Sequence, residues 1–424
     1  MNKPLLVFQG PVATRSGYGD HARDLLQSIF DLDKYDVKII PTRWGTTPQN
    51  QLDITTEFGQ RVLNNVVTQL QTQPDIYVQV TVANEFQRLG KYNIGVTAGV
   101  ETTIAPKEFI DGCNKMDLIL VPSNFTKEVL QSTSFTEVDN RTKQKVRDIV
   151  ITKPIEVLFE GVDIDIFAKS TSSNNNKVDV LEGIETDFNY LFVGHWLSGD
   201  LGQDRKDVGM LIKSFCTIFK NTPKDKQPGL ILKTSTAGFS VMDRESISAK
   251  IKELTNEFGK QCPPIYLLFG DMLPSELSNL YHHPKVKTMI SFTKGEGYGR
   301  PLAEFSLTGK PIIVSNWSGH IDFLPKENTI LLDGELTDVH PSAANQFLLK
   351  ESKWFTVNYS NAASKILDVF KNYSKHLEKS KGLSDNTKNK FSLNKMTEEM
   401  GKIFSKYVKT TEHITLKLPE LKKL

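Results

Sequence analysis

Short apolar runs alternate with amphipathic stretches along most of the chain, and the alternation occurs twice. The first run, Leu5 to Gln9, is continuously apolar until Gln9 and stops at Gly10, the texture of a strand buried on both faces. A glycine-containing loop, Ser16-Gly17-Tyr18-Gly19, leads into a stretch with Ala22, Leu25, Leu26 and Ile29 at helical spacing. Strand-like runs follow at Val37–Ile40, Ile76–Val80, Ile94–Val96, Leu118–Val121 and Ile155–Phe159. Strands alternating with amphipathic helices predict an α/β fold with a doubly wound parallel sheet.

The pattern breaks at Ser170–Lys177, a Ser/Thr/Asn run without a hydrophobic side chain, and then restarts. Tyr190–Val193, Leu230–Leu232, Ile265–Phe269, Thr288–Phe292, Ile312–Val314 and Thr329–Leu332 predict a second sheet of the same kind. The expected organisation is therefore a domain over 1–169, a linker over 170–185 and a second domain over 186–375. A helical extension is expected over 376–424. In it Met396, Met400, Ile403, Phe404 and Tyr407 recur three or four apart, a stripe suited to packing back on the first domain. Ligands of such sheets bind beyond the carboxyl ends of the strands, so both domains can face one cleft.

Composition narrows the function classes. Hydrophobic residues make up 38 % of the 424, enough for two cores. The net charge of +2, from 52 basic and 50 acidic residues, gives no basic surplus of the kind that coats nucleic acid. Cys113, Cys216 and Cys262 form neither a disulfide framework nor a zinc motif and read as buried hydrophobes of a reducing compartment. The apolar run after Met1–Pro4 is too short for a signal-peptide core, and no run reaches the length of a membrane span, so a cytoplasmic location is expected. The Lys- and Leu-rich tail Leu416–Leu424 allows at most peripheral membrane contact. Asp31/Asp33 and Asp163/Asp165 sit at element boundaries, and neither metal nor cofactor is predicted.

One segment carries candidate chemistry: Gly295-Glu296-Gly297-Tyr298-Gly299-Arg300-Pro301-Leu302-Ala303-Glu304. It follows the strand Thr288–Phe292, and Pro301 suits the first turn of a helix. Glycines before a helix turn backbone N–H groups outward, and with the helix dipole they favour an anion. Glu296 and Glu304 would repel that anion unless they accept hydrogen bonds from hydroxyl groups. A phosphate site flanked by two hydroxyl acceptors describes a nucleotide-sugar.

Glu296, Glu304 and the following Gly309-Lys310-Pro311-Ile312-Ile313-Val314-Ser315 resemble the signature of retaining GT-B glycosyltransferases of the family-4 type. Ser123-Asn124-Phe125-Thr126, then Glu160-Gly161-Val162-Asp163 with Phe167, then Phe192-Val193-Gly194, Arg205-Lys206 and Leu268-Phe269-Gly270 match further family motifs in order, over about residues 5–335. The resemblance implies two Rossmann-like domains: an acceptor domain first and a donor domain second. It implies that Glu304 accepts from the donor ribose and that Glu296 lies beside the sugar. Gly297, Tyr298 and Gly299 would lie near sugar and phosphates. Arg205, with Lys206 and Lys233, would hold the diphosphate, Gly17 and Gly19 would close on it, and Glu101 would sit on the acceptor side. Arg300 departs from the pattern, which has an apolar residue there: it binds donor or acceptor, or faces solvent. His21 and His195 read as structural, while His320 stays open.

The implied reaction moves a sugar from a nucleotide-diphosphate-sugar to an acceptor hydroxyl with retention, by electrostatic stabilisation of the leaving diphosphate. The acceptor class, whether glycan, lipid, small molecule or modified DNA, is open. Alternatives on the same scaffold are a phage-type DNA-base glycosyltransferase, a nucleotide-sugar epimerase or phosphorylase, and a non-catalytic nucleotide-sugar-binding protein.

Overall fold

The structure is a computed structural model that describes residues 3–168, 181–236 and 240–408. Most of the polar linker and the tail Leu416–Leu424 lie outside the described residues. In the first half, β1 (Leu5–Gly10), β2 (Asp36–Pro41), β3 (Ile76–Val80), β4 (Tyr92–Val96) and β5 (Leu118–Val121) join β8 (Ile155–Val157) in one parallel sheet. Its order is β2-β1-β3-β4-β5-β8. Between β5 and β8 an exposed antiparallel hairpin, β6 (Phe135–Val138) with β7 (Lys145–Ile149), interrupts the winding. The second half repeats the scheme with β9 (Asn189–His195), β10 (Gly229–Ser235), β11 (Ile265–Leu268), β12 (Val286–Ser291), β13 (Ile312–Ser315) and β14 (Ile330–Leu332), ordered β11-β10-β9-β12-β13-β14. The order reverses between β1 and β3 in one sheet and between β9 and β12 in the other, the positions at which such sheets leave a crevice.

Both sheets were legible because their central strands are largely buried on both faces and carry short apolar runs, while the edge strands β2 and β11 are only partly buried. Two hairpins were not: β6–β7, and β15 (Gly334–Asp338) with β16 (Lys353–Val357). Much of the first hairpin and most of β15 are exposed and polar, so neither follows the buried-strand texture.

Helix Gly17–Leu32 starts at Ser16, whose hydroxyl accepts from the Gly19 N–H, and ends at Asp33 in the left-handed conformation. Its Ala22, Leu25, Leu26 and Ile29 pack on Leu6 and Phe8 of β1. The C-terminal helix Leu393–Tyr407 crosses back to the same core and buries Met396, Met400, Ile403 and Phe404 there. Helix Gly382–Lys390 stays with the second domain, with the Ser384 hydroxyl donating to the Leu307 carbonyl at 2.9 Å. The chain thus changes domain at Ser392, where Val162 and the Phe391–Leu393 backbone exchange hydrogen bonds of 2.9 Å.

The domains touch along a seam. The Thr103 N–H donates to the Lys353 carbonyl at 2.9 Å, Asn124 donates to Asp322, and Phe125 packs edge-on against Trp317 at 4.7 Å between ring centroids. No helix among the described residues is long and apolar enough to cross a membrane.

The returning helix holds the first core together, so Met400→Ala should cost about 2–5 kcal/mol, the range for emptying a buried large side chain. Urea unfolding followed by circular dichroism checks this; an unchanged midpoint would mean that the helix is dispensable to the core.

Candidate active site

The segment after β12 lies at the switch point of the second sheet, facing the loop after β9. Two ties set that loop's path. Asp207 adopts the left-handed conformation (φ 53°) just before helix Val208–Phe219, and its carboxylate accepts from Tyr359 at 2.7 Å and pairs with the buried Lys294 at 3.4 Å. The Lys294 N–H then donates to the Arg205 carbonyl at 2.7 Å. Together they turn Arg205 and Lys206 toward Glu296.

The result is a buried cluster of charges. Lys206 Nζ donates to Glu296 Oε1, and Arg205 Nη1 lies 3.3 Å from Glu296 Oε2 and 2.8 Å from the Gly295 carbonyl. Arg205 Nε reaches across the cleft to Glu101 Oε2 at 2.9 Å. Burial by itself would raise the Glu296 carboxyl, but Lys206 and Arg205 overcome it and hold the group down at about 2. His195 Nδ1 lies 3.0 Å from the Ser235 hydroxyl; the residue is exposed at the end of β9, and desolvation of its ring together with the nearby cations Lys206, Arg205 and Lys233 lowers its pKa to about 4.

Beside this cluster, a cavity of about 560 Å³ opens between the domains. From the first domain it is lined by Arg15, Gly17 at the start of helix Gly17–Leu32, and Asp24; Lys233, Arg300 and Glu304 line it from the second. Lys233 Nζ donates to the Gly270 carbonyl at 2.7 Å, and Arg15 faces Asp271 at 3.7 Å. Phe167, Met272 and Leu277 add apolar wall suited to a flat ring. Arg300 Nε donates to Glu304 Oε1 at 2.9 Å, while Nη1 donates to Asp24 at 2.6 Å and lies 3.8 Å from Glu160. Arg300 therefore does not face solvent. Burial raises Asp24 to about 6, Glu304 to about 7 and Glu160 to about 8, against the pull of Arg300.

The structure brings Arg205, Lys206, Glu296 and Glu101 into the charge cluster, and sets Gly17, Lys233 and Glu304 on the large cavity. Gly299, left-handed at φ 98°, caps helix Arg300–Ser306 and lines a small cleft with Lys206 and Glu296. Three other residues have a different place. Gly19 packs on Thr14: a Cβ there would lie 2.3 Å from the Thr14 carbonyl oxygen. Tyr298 is buried against Phe323 at 4.8 Å between rings and is not part of the cavity lining. Gly297 turns to the other domain, its carbonyl accepting from the Ser123 hydroxyl at 2.6 Å. A Cβ on Gly297 would lie 2.0 Å from the Ala98 carbonyl oxygen, and one on Gly295 would lie 1.9 Å from that of Glu101. Those two glycines serve domain contact as well as any ligand. His320 is fully buried with Nε2 2.7 Å from the Ser315 carbonyl, a structural position. Sequence reasoning missed Arg15, Asp24 and Glu160, whose roles rest on residues far away in the chain. The ordered motif around Ser123 was the signal for its contact with Gly297.

Neither a family model nor a curated protein sequence matches the chain. Solved structures do. A glycosyltransferase from Rickettsia africae is similar at 14 % identity and TM-score 0.60, over 97 % of this chain and 100 % of that one. Anabaena HepE in complex with UDP-glucose is similar at 12 % identity and TM-score 0.59, over 95 % and 100 %. Sucrose-phosphate synthase from Thermosynechococcus elongatus is similar at 12 % and 0.59, over 95 % and 99 %. The two facing sheets extend through nearly the whole of these chains. The chain has the GT-B fold.

In this GT-B chain the cleft is shut around Gly297, and Gly297→Ala should wedge it open at a cost of about 1–3 kcal/mol, the usual penalty of overpacking. A lower melting temperature together with a larger radius of gyration in solution scattering checks this. The Asp24–Glu160–Glu304 group sets a pH dependence. Between the ordinary carboxyl range and about 8, the folded chain keeps protons that the unfolded chain has released. Stability should therefore fall as pH rises from 5 to about 8.5, and Glu160→Gln should flatten that fall in thermal unfolding scans.

Proposed function

We propose that the chain is a glycosyltransferase that moves a sugar from a nucleotide-diphosphate-sugar to an acceptor hydroxyl, with retention at the anomeric carbon. The observation that carries this reading is the convergence of Arg205, Lys206 and Lys233 at the carboxyl ends of the second sheet, against the N-terminal end of helix Gly17–Leu32 in the first. Cations and helix N–H groups directed at one cleft suit a diphosphate, and Glu304 on the same cavity suits a ribose hydroxyl. Structures of the same fold hold such ligands: HepE is described with UDP-glucose, and a trehalose-6-phosphate protein from E. coli with UDP-2-fluoro glucose.

Arg205 is held by Glu101, Glu296 and the Gly295 carbonyl. A donor diphosphate would compete for the guanidinium, with Lys206 shared between the diphosphate and Glu296. During transfer the bond from the anomeric carbon to the β-phosphate oxygen breaks and the bond to the acceptor oxygen forms on the same face. The acceptor proton passes to the departing phosphate, and Arg205, Lys206 and Lys233 stabilise the charge that collects there. The closed seam excludes water, which would otherwise hydrolyse the donor.

A thermal-shift screen against UDP-, GDP- and ADP-sugars should identify the donor by a raised melting temperature. With that donor and a panel of glycan, lipid and small-molecule acceptors, nucleoside diphosphate should be released only when an acceptor is present. Arg205→Ala should then lower turnover by roughly 10²-fold or more, as loss of a transition-state donor does. Full turnover in that variant would remove Arg205 from the mechanism.

A further inference from the structure

Arg300 places its guanidinium between three largely buried acids that come from both domains. Its Nε holds Glu304 Oε1 at 2.9 Å on its own helix, and its Nη1 holds Asp24 of helix Gly17–Leu32 at 2.6 Å. Glu160, just after β8, lies 3.8 Å from the same Nη1. The side chains of Arg300, Asp24, Glu160 and Glu304 keep only 14 %, 15 %, 9 % and 7 % of their exposure. Arg23, a neighbouring arginine, is already engaged: it donates to Asp20 and to the Val12 and Thr14 carbonyls. His21, buried beside Arg300 with its pKa lowered to about 3, adds no charge. Arg300 is the counter-charge that opposes burial at all three acids, so its removal favours their protonated forms.

The sharing has a consequence for Glu304. A carboxylate offers about four acceptor sites. Glu304 gives one to Arg300 Nε and one to the Tyr281 hydroxyl, at 3.2 Å, and the rest stay available toward the cavity it lines. That distribution holds only while Asp24 and Glu160 occupy the other edge of the guanidinium. If the first domain moved away, the freed N–H groups would turn to the nearest remaining acceptor, Glu304, and fork onto it in the bidentate geometry that arginine favours.

We propose that Arg300 is a positioning residue that makes recognition of the donor's ribose conditional on domain closure. Asp24 and Glu160 hold Arg300 off the second oxygen of Glu304, which accepts from the Tyr281 hydroxyl and keeps a further acceptor site for a ribose hydroxyl. This rests on the reading of the cavity as a nucleotide-sugar site. It explains why a cation sits beside the ribose carboxylate without belonging to the diphosphate end of the site. It also makes a residue of the first domain, Asp24, part of donor selectivity.

The test compares UDP, GDP and ADP with their 2′,3′-dideoxy analogues by calorimetric titration, using whichever pair binds. Wild type should prefer the ribonucleotide by tenfold or more. In Arg300→Lys, whose ammonium cannot span three carboxylates, and in Asp24→Asn, which keeps the shape and loses the charge, that preference should fall below about threefold. Affinity for the dideoxy nucleotide should stay within about twofold of wild type in both, a result that a merely unfolded or loosened variant would not give. Asp24→Asn keeps Arg300 in place and serves if Arg300→Lys folds poorly. An undiminished ribose preference in Asp24→Asn would overturn the coupling while leaving Glu304 as the ribose acceptor. A wild type that binds ribo- and dideoxynucleotides equally would remove Glu304 from ribose binding, and the proposed site with it.

Discussion

The structure depends on two backbones meeting with no side chain between them. Gly295 and Gly297 of the second domain lie so close to the Glu101 and Ala98 carbonyls of the first that a single methyl group on either would collide with an oxygen. Everything at the cleft follows from that approach. It brings Ser123 within 2.6 Å of the Gly297 carbonyl, Glu101 onto Arg205 and Asp24 onto Arg300. A wider seam would leave each of these charges facing water, where an ion pair contributes little.

Burial at that seam makes electrostatics the organising force of the site. Two groups of charge stand beside one cavity, and they are balanced differently. Around Glu296 two cations outweigh the desolvation of the acid, so its carboxylate stays ionised. Around Glu304 one arginine serves three acids, so burial prevails and their pKa values rise into the neutral range. On the proposed reading, the first arrangement would hold and release a leaving diphosphate. The second suits a contact that depends on where the other domain is, because its shared arginine is drawn from across the seam. The connection through Val162 and the helix from Leu393 to Tyr407 anchors the second domain to the first next to this seam.

Much of the architecture was legible before any coordinates. Strands buried on both faces are continuous apolar runs, and the C-terminal helix announces its buried stripe by the spacing of Met396, Met400, Ile403 and Phe404. The segment from Glu296 to Glu304 stood out as a candidate site because acids flank glycines just before a helix. The hairpins β6–β7 and β15–β16 were not legible, since β6, most of β7 and β15 are too exposed or too polar to leave that texture, although β16 buries Trp354, Phe355 and Val357.

The sequence alone determined the two doubly wound sheets and marked the glycine-rich loop before helix Arg300–Ser306 as the candidate site, because local periodicity and glycine placement are properties of neighbouring residues. It could not tell that Gly19 serves Thr14, that Tyr298 lies in the core, or that Gly297 faces the other domain. Nor could it show Arg300 among Asp24, Glu160 and Glu304. Those roles come from atoms more than a hundred residues apart or from the fit of one turn against another, and only tertiary structure sets such distances. The charge state of a buried carboxylate depends on those distances, so the polarity of the site was decided by the fold as a whole.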